Sequence, residues 1–152
     1  TMKNNPTIDL SLLLSIPKST IAVPFAPSYI QWGDSKDIGV GDRVYVGGYP
    51  YGKQMFYFQK TNIGIVQPTF YEGIISAIWP ATNNKEIRIF QITTPVAGGM
   101  SGGLVFNPEN GEGLGMITSN VETNGIPQNM TYAIPSEIIK PFIDTVTFKT
   151  KG

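Results

Sequence analysis

The chain has 152 residues, which is enough for one domain with a buried core. Eleven basic and eleven acidic residues give a formal net charge of zero, which argues against a nucleic-acid partner. Cysteine and histidine are absent, so disulfides and the usual zinc ligands are excluded, and we predict neither a metal nor a cofactor. No apolar run approaches the roughly 20 residues of a membrane-spanning helix, so we expect no membrane span.

The composition and the first runs of the chain favour an all-β domain. Seventeen glycines and twelve prolines separate short runs rich in Val, Ile, Tyr and Phe, which is typical of strands joined by turns. The first run, residues 8–16, alternates apolar and polar side chains well enough for a strand. Asp9 at its entrance fits a turn or capping carboxylate. Residues 17–35 carry three prolines and no clear period, which predicts a connecting segment on a surface.

The middle of the chain predicts further strands. Residues 38–52 give a turn, a short apolar strand and a second turn of glycine and proline. Two later apolar runs, Met55–Phe58 and Ile63–Val66, predict two possible added strands.

Ser101 lies among four glycines and is followed by an apolar strand at Leu104–Phe106. Glycines allow backbone angles that other residues avoid, so consecutive N–H groups can converge on one point beside the hydroxyl. Such donors form an oxyanion hole, which stabilises the charge that develops on an attacked carbonyl oxygen. The structural alternative is a glycine-rich turn between two strands.

The pattern Gly99-x-Ser101-x-Gly103 also fits the nucleophile elbow of α/β-hydrolases, which requires a following helix and a later histidine. Here a turn cluster at 107–111 and a strand at 113–118 follow, and the chain contains no histidine. In the chymotrypsin-like order, histidine precedes aspartate, which precedes serine. A chain that starts just before the aspartate would therefore lack its histidine and keep the rest.

The end of the chain predicts one short helix. Apolar residues recur at helical spacing at Ile138, Ile139, Phe142, Ile143 and Val146. Ser136 is the expected cap, and Pro141 is expected to kink or restart the helix.

Several ordered blocks of the chain resemble HtrA-type (Deg) bacterial trypsin-like serine proteases. They are Gly33-Asp34-Ser35, Val40-Gly41-Asp42, Gly48-Tyr49-Pro50-Tyr51-Gly52, Gly73-Ile74-Ile75-Ser76, Phe90–Val96, the serine loop, and Tyr132-Ala133-Ile134-Pro135-Ser136. The resemblance implies an antiparallel Greek-key β-barrel, the second barrel of a chymotrypsin-like protease, with a short C-terminal helix. It also implies three parts: residues 1–16 as a residual strand of the N-terminal barrel, 17–35 as an inter-barrel connector, and 36–152 as the C-terminal barrel.

The resemblance also implies roles for individual residues. Ser101 is the nucleophile, Asp9 orients the catalytic histidine, and the N–H groups of Gly99 and Ser101 form the oxyanion hole. The strand Met116, Ile117, Thr118 pairs with the substrate backbone. Ala97 and the residues near Ser119 line the pocket for the side chain before the cut, with a preference for small or medium apolar side chains. Met100 stands where digestive trypsin-like enzymes have an aspartate, so activation by an ion pair with a freed N-terminus is not expected.

The missing histidine leaves three interpretations, because a serine without a general base is a poor nucleophile. We favour the C-terminal half of a serine endopeptidase that acts on a peptide or unfolded protein through an acyl-enzyme on Ser101, with its histidine upstream. The alternatives are a pseudoprotease that binds proteins or peptides, and a structural β-domain. The resemblance slightly favours a periplasmic or secreted location. No strand pattern precedes residues 8–16, so we expect this strand to be covered by an upstream barrel, a second copy of the chain, or residues 55–66.

Overall fold

The computed structural model describes residues 2–5, 10–13, 29–50, 68–81, 84–123 and 126–147. Within these ranges the elements in chain order are β1 (Met2–Asn5), β2 (Leu10–Leu13), β3 (Arg43–Gly48), β4 (Thr69–Ala81), β5 (Asn84–Ile92), β6 (Leu104–Phe106), β7 (Gly113–Thr123), β8 (Ile126–Pro135) and the helix α1 (Ser136–Thr147).

Strands β3 to β8 form a closed barrel in the order β3-β4-β5-β8-β7-β6, with antiparallel neighbours throughout. In this ring, two strands separate β5 from β6 in either direction. The connection between them, residues 93–103, therefore crosses an end of the barrel. The predicted all-β antiparallel barrel with a short C-terminal helix is confirmed, and the crossing segment carries Ser101.

The barrel closes around an apolar core. In β3, Val44 and Val46 are fully buried while Arg43 and Tyr45 face outward, as the period of two in a strand requires. Burial of each large apolar side chain contributes roughly 1.5–3 kcal/mol. The other core members are Ile75, Phe90, Ile92, Val96, Met100, Val105, Leu114, Ile117 and Ala133. Met100 belongs to the crossing segment, so the core also anchors the loop that carries the serine.

The predicted strand 8–16 corresponds to β2, which pairs antiparallel with β1. The expectation that no partner strand precedes it was wrong. Lys3 lies opposite Leu12, and Asn4 opposite Ser11, in a separate two-stranded sheet. The polar sequence of β1 gave no strand signal, because it is specified by pairing and not by its own propensity. The predicted strands at 55–58 and 63–66 lie outside the described residues.

Helix α1 starts at Ser136 and runs through Pro141 to Thr147, so the helix does not restart at the proline. The expected cap was wrong. The Ser136 hydroxyl donates a hydrogen bond to the Gly33 carbonyl at 2.9 Å, whereas the Ser35 hydroxyl oxygen accepts one from the Glu137 N–H at 3.1 Å. The cap therefore comes from a residue about a hundred positions upstream.

Arg88 joins β5 to this cap. Its guanidinium donates two hydrogen bonds to the Glu137 carboxylate, at 2.9 and 2.8 Å, and one to the Ser35 carbonyl at 2.7 Å. The hydrogen bond to Glu137 is the main cause that raises the pKa of Arg88 above its ordinary value. The adjoining residue Gly33 donates its N–H to the Gly113 carbonyl at 3.0 Å. Residues 33–35 are thus fixed to β5, β7 and α1.

Candidate active site

Ser101 is exposed on the crossing segment, three residues before β6 begins. The backbone on either side of it takes left-handed conformations, with φ of 91° at Gly99 and 86° at Gly102. Side-chain-bearing residues rarely adopt such angles, so glycine is needed at both positions. These two reversals of the backbone present the serine at the surface of the loop.

The Met100 side chain anchors the serine loop to the barrel core. Its side chain is 1% exposed and is a member of the barrel core. It lies against the bare backbone of Gly48, where a Cβ atom would come within 3.1 Å of the methionine sulfur. The Met100 N–H donates to the Ala97 carbonyl at 3.3 Å, and the Met100 carbonyl accepts from the Gly103 N–H at 2.8 Å. Met100 is thus an apolar anchor at the position where digestive trypsin-like enzymes have an aspartate.

A surface cleft lies between the serine loop and strands β3, β4 and β6. The two predicted oxyanion donors, Gly99 and Ser101, border it. Among the described residues, neither of their N–H groups has a backbone or side-chain acceptor. The neighbouring N–H groups of Gly102 and Gly103, by contrast, are used inside the fold, since they donate to Ile117 and Met100. The loop therefore leaves unpaired the two donors that a bound carbonyl oxygen would need.

The serine hydroxyl faces strand β7. It donates a hydrogen bond to the Thr118 carbonyl oxygen at 3.2 Å. The loop is tied to the preceding residue of the strand by two short bonds, from Gly102 N–H to the Ile117 carbonyl at 2.8 Å and from Ile117 N–H to the Gly103 carbonyl at 2.7 Å. These bonds fix the distance between the serine and β7.

The residues predicted to bind substrate differ in how their backbone groups are used within the barrel. Met116 lies opposite Leu104 on one side and Ile134 on the other, within the barrel ladder. Ile117 is buried, and both of its backbone groups are bound to the serine loop. Thr118 alone of the three presents its carbonyl to Ser101. Ala97 is half-buried at the start of the turn that leads to Gly99.

Beyond Ile117, β7 has one edge that β6 does not cover. The β6–β7 ladder ends at the pair Leu104 and Met116, whereas β7 continues to Thr123 and is paired with β8 along its other edge. Among the described strands, none pairs with the edge of residues 118–123 that faces away from β8. A backbone edge next to the serine is the feature that binds an extended peptide by strand addition.

The described part of the chain does not supply a general base at the serine. Asp9 lies outside the described residues. The side chains that line the cleft beside Ser101 carry no charge in the described ranges. The described residues also contain no group of three His, Cys, Asp or Glu that could hold a metal ion. The arrangement therefore offers an exposed serine hydroxyl, two backbone N–H groups that have no acceptor among the described residues, and a strand edge.

Two features of the site were missed by sequence reasoning. One is the role of Met100 as an anchor, for which the signal was an apolar side chain in an otherwise glycine-rich exposed loop. The other is the aromatic wall of the cleft, formed by Phe70 and Phe106 above Gly47. That wall depends on the register of β3 with β4 and β6, which no local pattern gives.

Comparison with known proteins agrees with this geometry. The profile of the trypsin-like peptidase domain matches residues 2–116. The chain belongs to the trypsin-like peptidase family. Within this family it is similar to HtrA-type serine proteases, which confirms the resemblance drawn from its motifs.

Two curated relatives illustrate the similarity. The trypsin-like chain is 32% identical over 145 residues to a probable periplasmic serine endoprotease DegP-like of Rickettsia conorii, which covers 93% of this chain and 25% of the relative. It is 28% identical over 167 residues to a serine protease HtrA-like of Staphylococcus aureus, which covers 100% of this chain and 20% of the relative. The chain thus spans a quarter or less of the length of these relatives.

The solved structures support the same fold. The HtrA-type protease AlgW, solved with a decapeptide, has a TM-score of 0.61 and 24% identity over 78% of this chain and 33% of that chain. This likeness supports a chymotrypsin-like barrel. Within the described ranges, none of the helices has the length and apolar character needed to cross a bilayer.

Proposed function

We propose that this trypsin-like chain is the serine-bearing part of an HtrA-type serine endopeptidase, and that a histidine outside these 152 residues completes its catalytic site. One observation carries the proposal. Ser101 is exposed between two left-handed glycines, its hydroxyl is 3.2 Å from the Thr118 carbonyl, and the N–H groups of Gly99 and Ser101 have no acceptor among the described residues. A glycine-rich turn with only a structural role would not require this combination of features.

In the proposed reaction, the Ser101 hydroxyl oxygen attacks the carbonyl carbon of a peptide bond while its proton passes to the histidine. The oxyanion that forms accepts hydrogen bonds from the Gly99 and Ser101 N–H groups. The carbon–nitrogen bond then breaks, the histidine returns the proton to the leaving amine, and an acyl-enzyme on Ser101 remains. Water hydrolyses this ester. Asp9 is proposed to hold the histidine in the required tautomer.

The edge of β7 that continues beyond the β6–β7 ladder is the proposed binding line for the residues before the cut. An extended peptide would add as a strand along residues 118–120, and its N–H would replace the Ser101 hydroxyl as the donor to the Thr118 carbonyl. Binding through backbone groups accepts many sequences, so peptides and unfolded proteins are the proposed substrates. Ala97 is proposed to line the pocket for the side chain before the cut.

The remaining organisation follows from the same proposal. Residues 1–16 contribute to an N-terminal barrel, 17–35 connect the two barrels, and 36–152 form the C-terminal barrel. A periplasmic or secreted location is proposed because the Rickettsia relatives are named periplasmic enzymes.

Labelling with a fluorophosphonate probe tests the proposal in the protein encoded by the full reading frame. We expect labelling and peptide cleavage, and we expect both to be lost in Ser101→Ala, since loss of the nucleophile costs several powers of ten in rate. Ser76→Ala is the matched control, because the Ser76 hydroxyl binds the Gln91 carbonyl away from the cleft. Cleavage that persists in Ser101→Ala would refute the assignment. Peptide binding without labelling would favour a pseudoprotease.

A further inference from the structure

Two threonines, Thr94 and Thr131, are fully buried beside the apolar core of the barrel. Thr94 lies on the crossing segment between the core residues Ile92 and Val96, at the same spacing of two. Thr131 lies two positions before the core residue Ala133 on β8. A valine has nearly the same shape as a threonine and would fill either place without burying a hydroxyl group, which costs free energy unless it is hydrogen-bonded. The two hydroxyl groups therefore require an explanation.

The two hydroxyl groups form a chain of hydrogen bonds from β8 to β4. The Thr131 hydroxyl donates to the Thr94 carbonyl oxygen at 2.6 Å, and the Thr94 hydroxyl donates to the Glu72 carbonyl oxygen at 3.3 Å. Gly73 makes room for the second bond, because a side chain there would overlap the Thr94 hydroxyl group. The first residues of the crossing segment are thus bound to both strands.

The crossing segment is fixed at both ends, and the predicted oxyanion donors lie between them. At its far end, two backbone hydrogen bonds join the segment to Ile117 of β7. At its near end, the Thr131 hydroxyl holds the Thr94 carbonyl. The N–H groups of Gly99 and Ser101 have no acceptor among the described residues. Their direction therefore depends on the bonds that hold the two ends of the segment.

Thr131 also belongs to the strand that supports β7. Its backbone lies opposite Ile92 on β5 and opposite Asn120 on β7. One residue thus joins the strand proposed to bind the acyl part of the substrate to the beginning of the segment that carries the serine. A hydrogen bond in the interior of a protein is directional and stronger than in water, so it fixes the distance between the groups it joins.

We propose that Thr131 is a positioning residue for the reaction, and that its hydroxyl group fixes the crossing segment so that the Gly99 and Ser101 N–H groups point at the oxyanion. The inference rests on the proposed function, because it concerns the same serine. Thr131 acts through Thr94 and does not contact the substrate. A displacement of about 1 Å at the reacting groups can cost about 10²-fold in rate. The backbone of β7 stays in place, so the loss falls on kcat and not on KM.

Fluorophosphonate labelling and peptide hydrolysis by the protein from the full reading frame test this role. Thr131→Val removes the hydroxyl with little change of shape and should slow labelling by about ten-fold or more, with a lower kcat and an unchanged KM. Thr131→Ser keeps the hydroxyl and should label at the wild-type rate. Each rate is measured below the melting temperature of the variant and divided by its folded fraction, so a loss of stability is not counted as a loss of rate.

Ser136→Ala is the matched control, because the Ser136 hydroxyl is also fully buried and donates to the Gly33 carbonyl at 2.9 Å, at the start of α1. Each variant deletes one buried hydroxyl–carbonyl bond, so both should lower the melting temperature, but Ser136→Ala should label at the wild-type rate. Thr94→Val deletes the second bond of the chain and should slow labelling as Thr131→Val does. It replaces Thr131→Val in the test if that variant does not fold.

The outcomes separate the inference from the proposed function. Wild-type labelling by Thr131→Val, or by Thr94→Val in its place, would overturn the inference and leave the proposed function intact. Slow labelling of Thr131→Ser would overturn it too, because shape and not the hydroxyl would then set the rate. The same holds for slow labelling of Ser136→Ala, since loss of any buried hydroxyl would then have this effect. A wild type that is not labelled would refute the proposed function, and the inference with it.

Discussion

The two flanks of Ser101 expose different chemical groups. On the β7 flank the serine meets backbone, namely the Thr118 carbonyl and the strand edge beyond it, which β6 does not reach. On the β3 flank it meets side chains, because Phe70 and Phe106 cover the bare backbone of Gly47. Backbone groups are the same in every residue, whereas aromatic walls select by side chain. The two flanks therefore differ in what they present, backbone groups on one and aromatic side chains on the other.

Both flanks depend on the Met100 anchor, so its loss should have the largest effect. Met100→Ala empties part of the core beneath the loop and should lower the free energy of unfolding by about 2–5 kcal/mol. Urea denaturation of the 152-residue chain measures this change. Met100→Leu keeps the volume and should cost less than about 1.5 kcal/mol. Equal free energies of unfolding for Met100→Ala and wild type would show that the Met100 side chain does not anchor the serine loop to the core.

Gly99 is the proposed oxyanion donor between the two flanks, and its substitution should affect chemistry more than folding. A side chain at φ of 91° strains the backbone and turns the N–H away, so Gly99→Ala should slow fluorophosphonate labelling of the full-length protein by about 10²–10³-fold. The control is Gly98→Ala, because a Cβ at Gly98 meets nothing within 4 Å. Labelling of Gly99→Ala at the wild-type rate would exclude this N–H from the oxyanion hole.

Gly47→Ala should displace the aromatic rings on the β3 flank and leave the backbone contacts on the β7 flank unchanged. The added methyl group would lie 2.6 Å from the Phe70 ring, so this exposed ring must turn aside, which should lower the free energy of unfolding by about 1 kcal/mol, the low end of the range for overpacking. Gly39→Ala is the comparison variant, since among the described residues the nearest atom to a Cβ there would be an Asp42 carboxylate oxygen at an ordinary distance of 4.0 Å. Urea denaturation of the two variants should separate them. If both unfold alike, Phe70 does not pack over Gly47.

Much of the fold followed from local sequence signals. Glycines around Ser101 and the apolar run at Leu104–Phe106 predicted the exposed loop and the strand that follows it, because turn residues and apolar runs act over a few positions. The strand at Glu72–Ile78 was expected from the family resemblance. The helix at residues 136–147 was predicted for the same reason, from apolar side chains at helical spacing.

The features that were missed depend on distant partners. Strand β1 has a polar sequence and forms through pairing with β2. The cap of α1 comes from Ser35, which the fold brings to Glu137 from a hundred residues away. The aromatic cleft requires the register that places Phe70 beside Gly47. Such contacts are set by tertiary packing, which a single sequence does not reveal.

The central claim is that this chain supplies the nucleophile and the oxyanion hole while its histidine lies elsewhere. The most direct test compares fluorophosphonate labelling of the 152-residue chain with labelling of the full-length protein, followed by mapping of the modified residue by mass spectrometry. We predict an adduct on Ser101 in the full-length protein and none above background in the chain alone, because no base activates the hydroxyl there. Robust labelling of the isolated chain, or an adduct on another residue of the full-length protein, would contradict the claim.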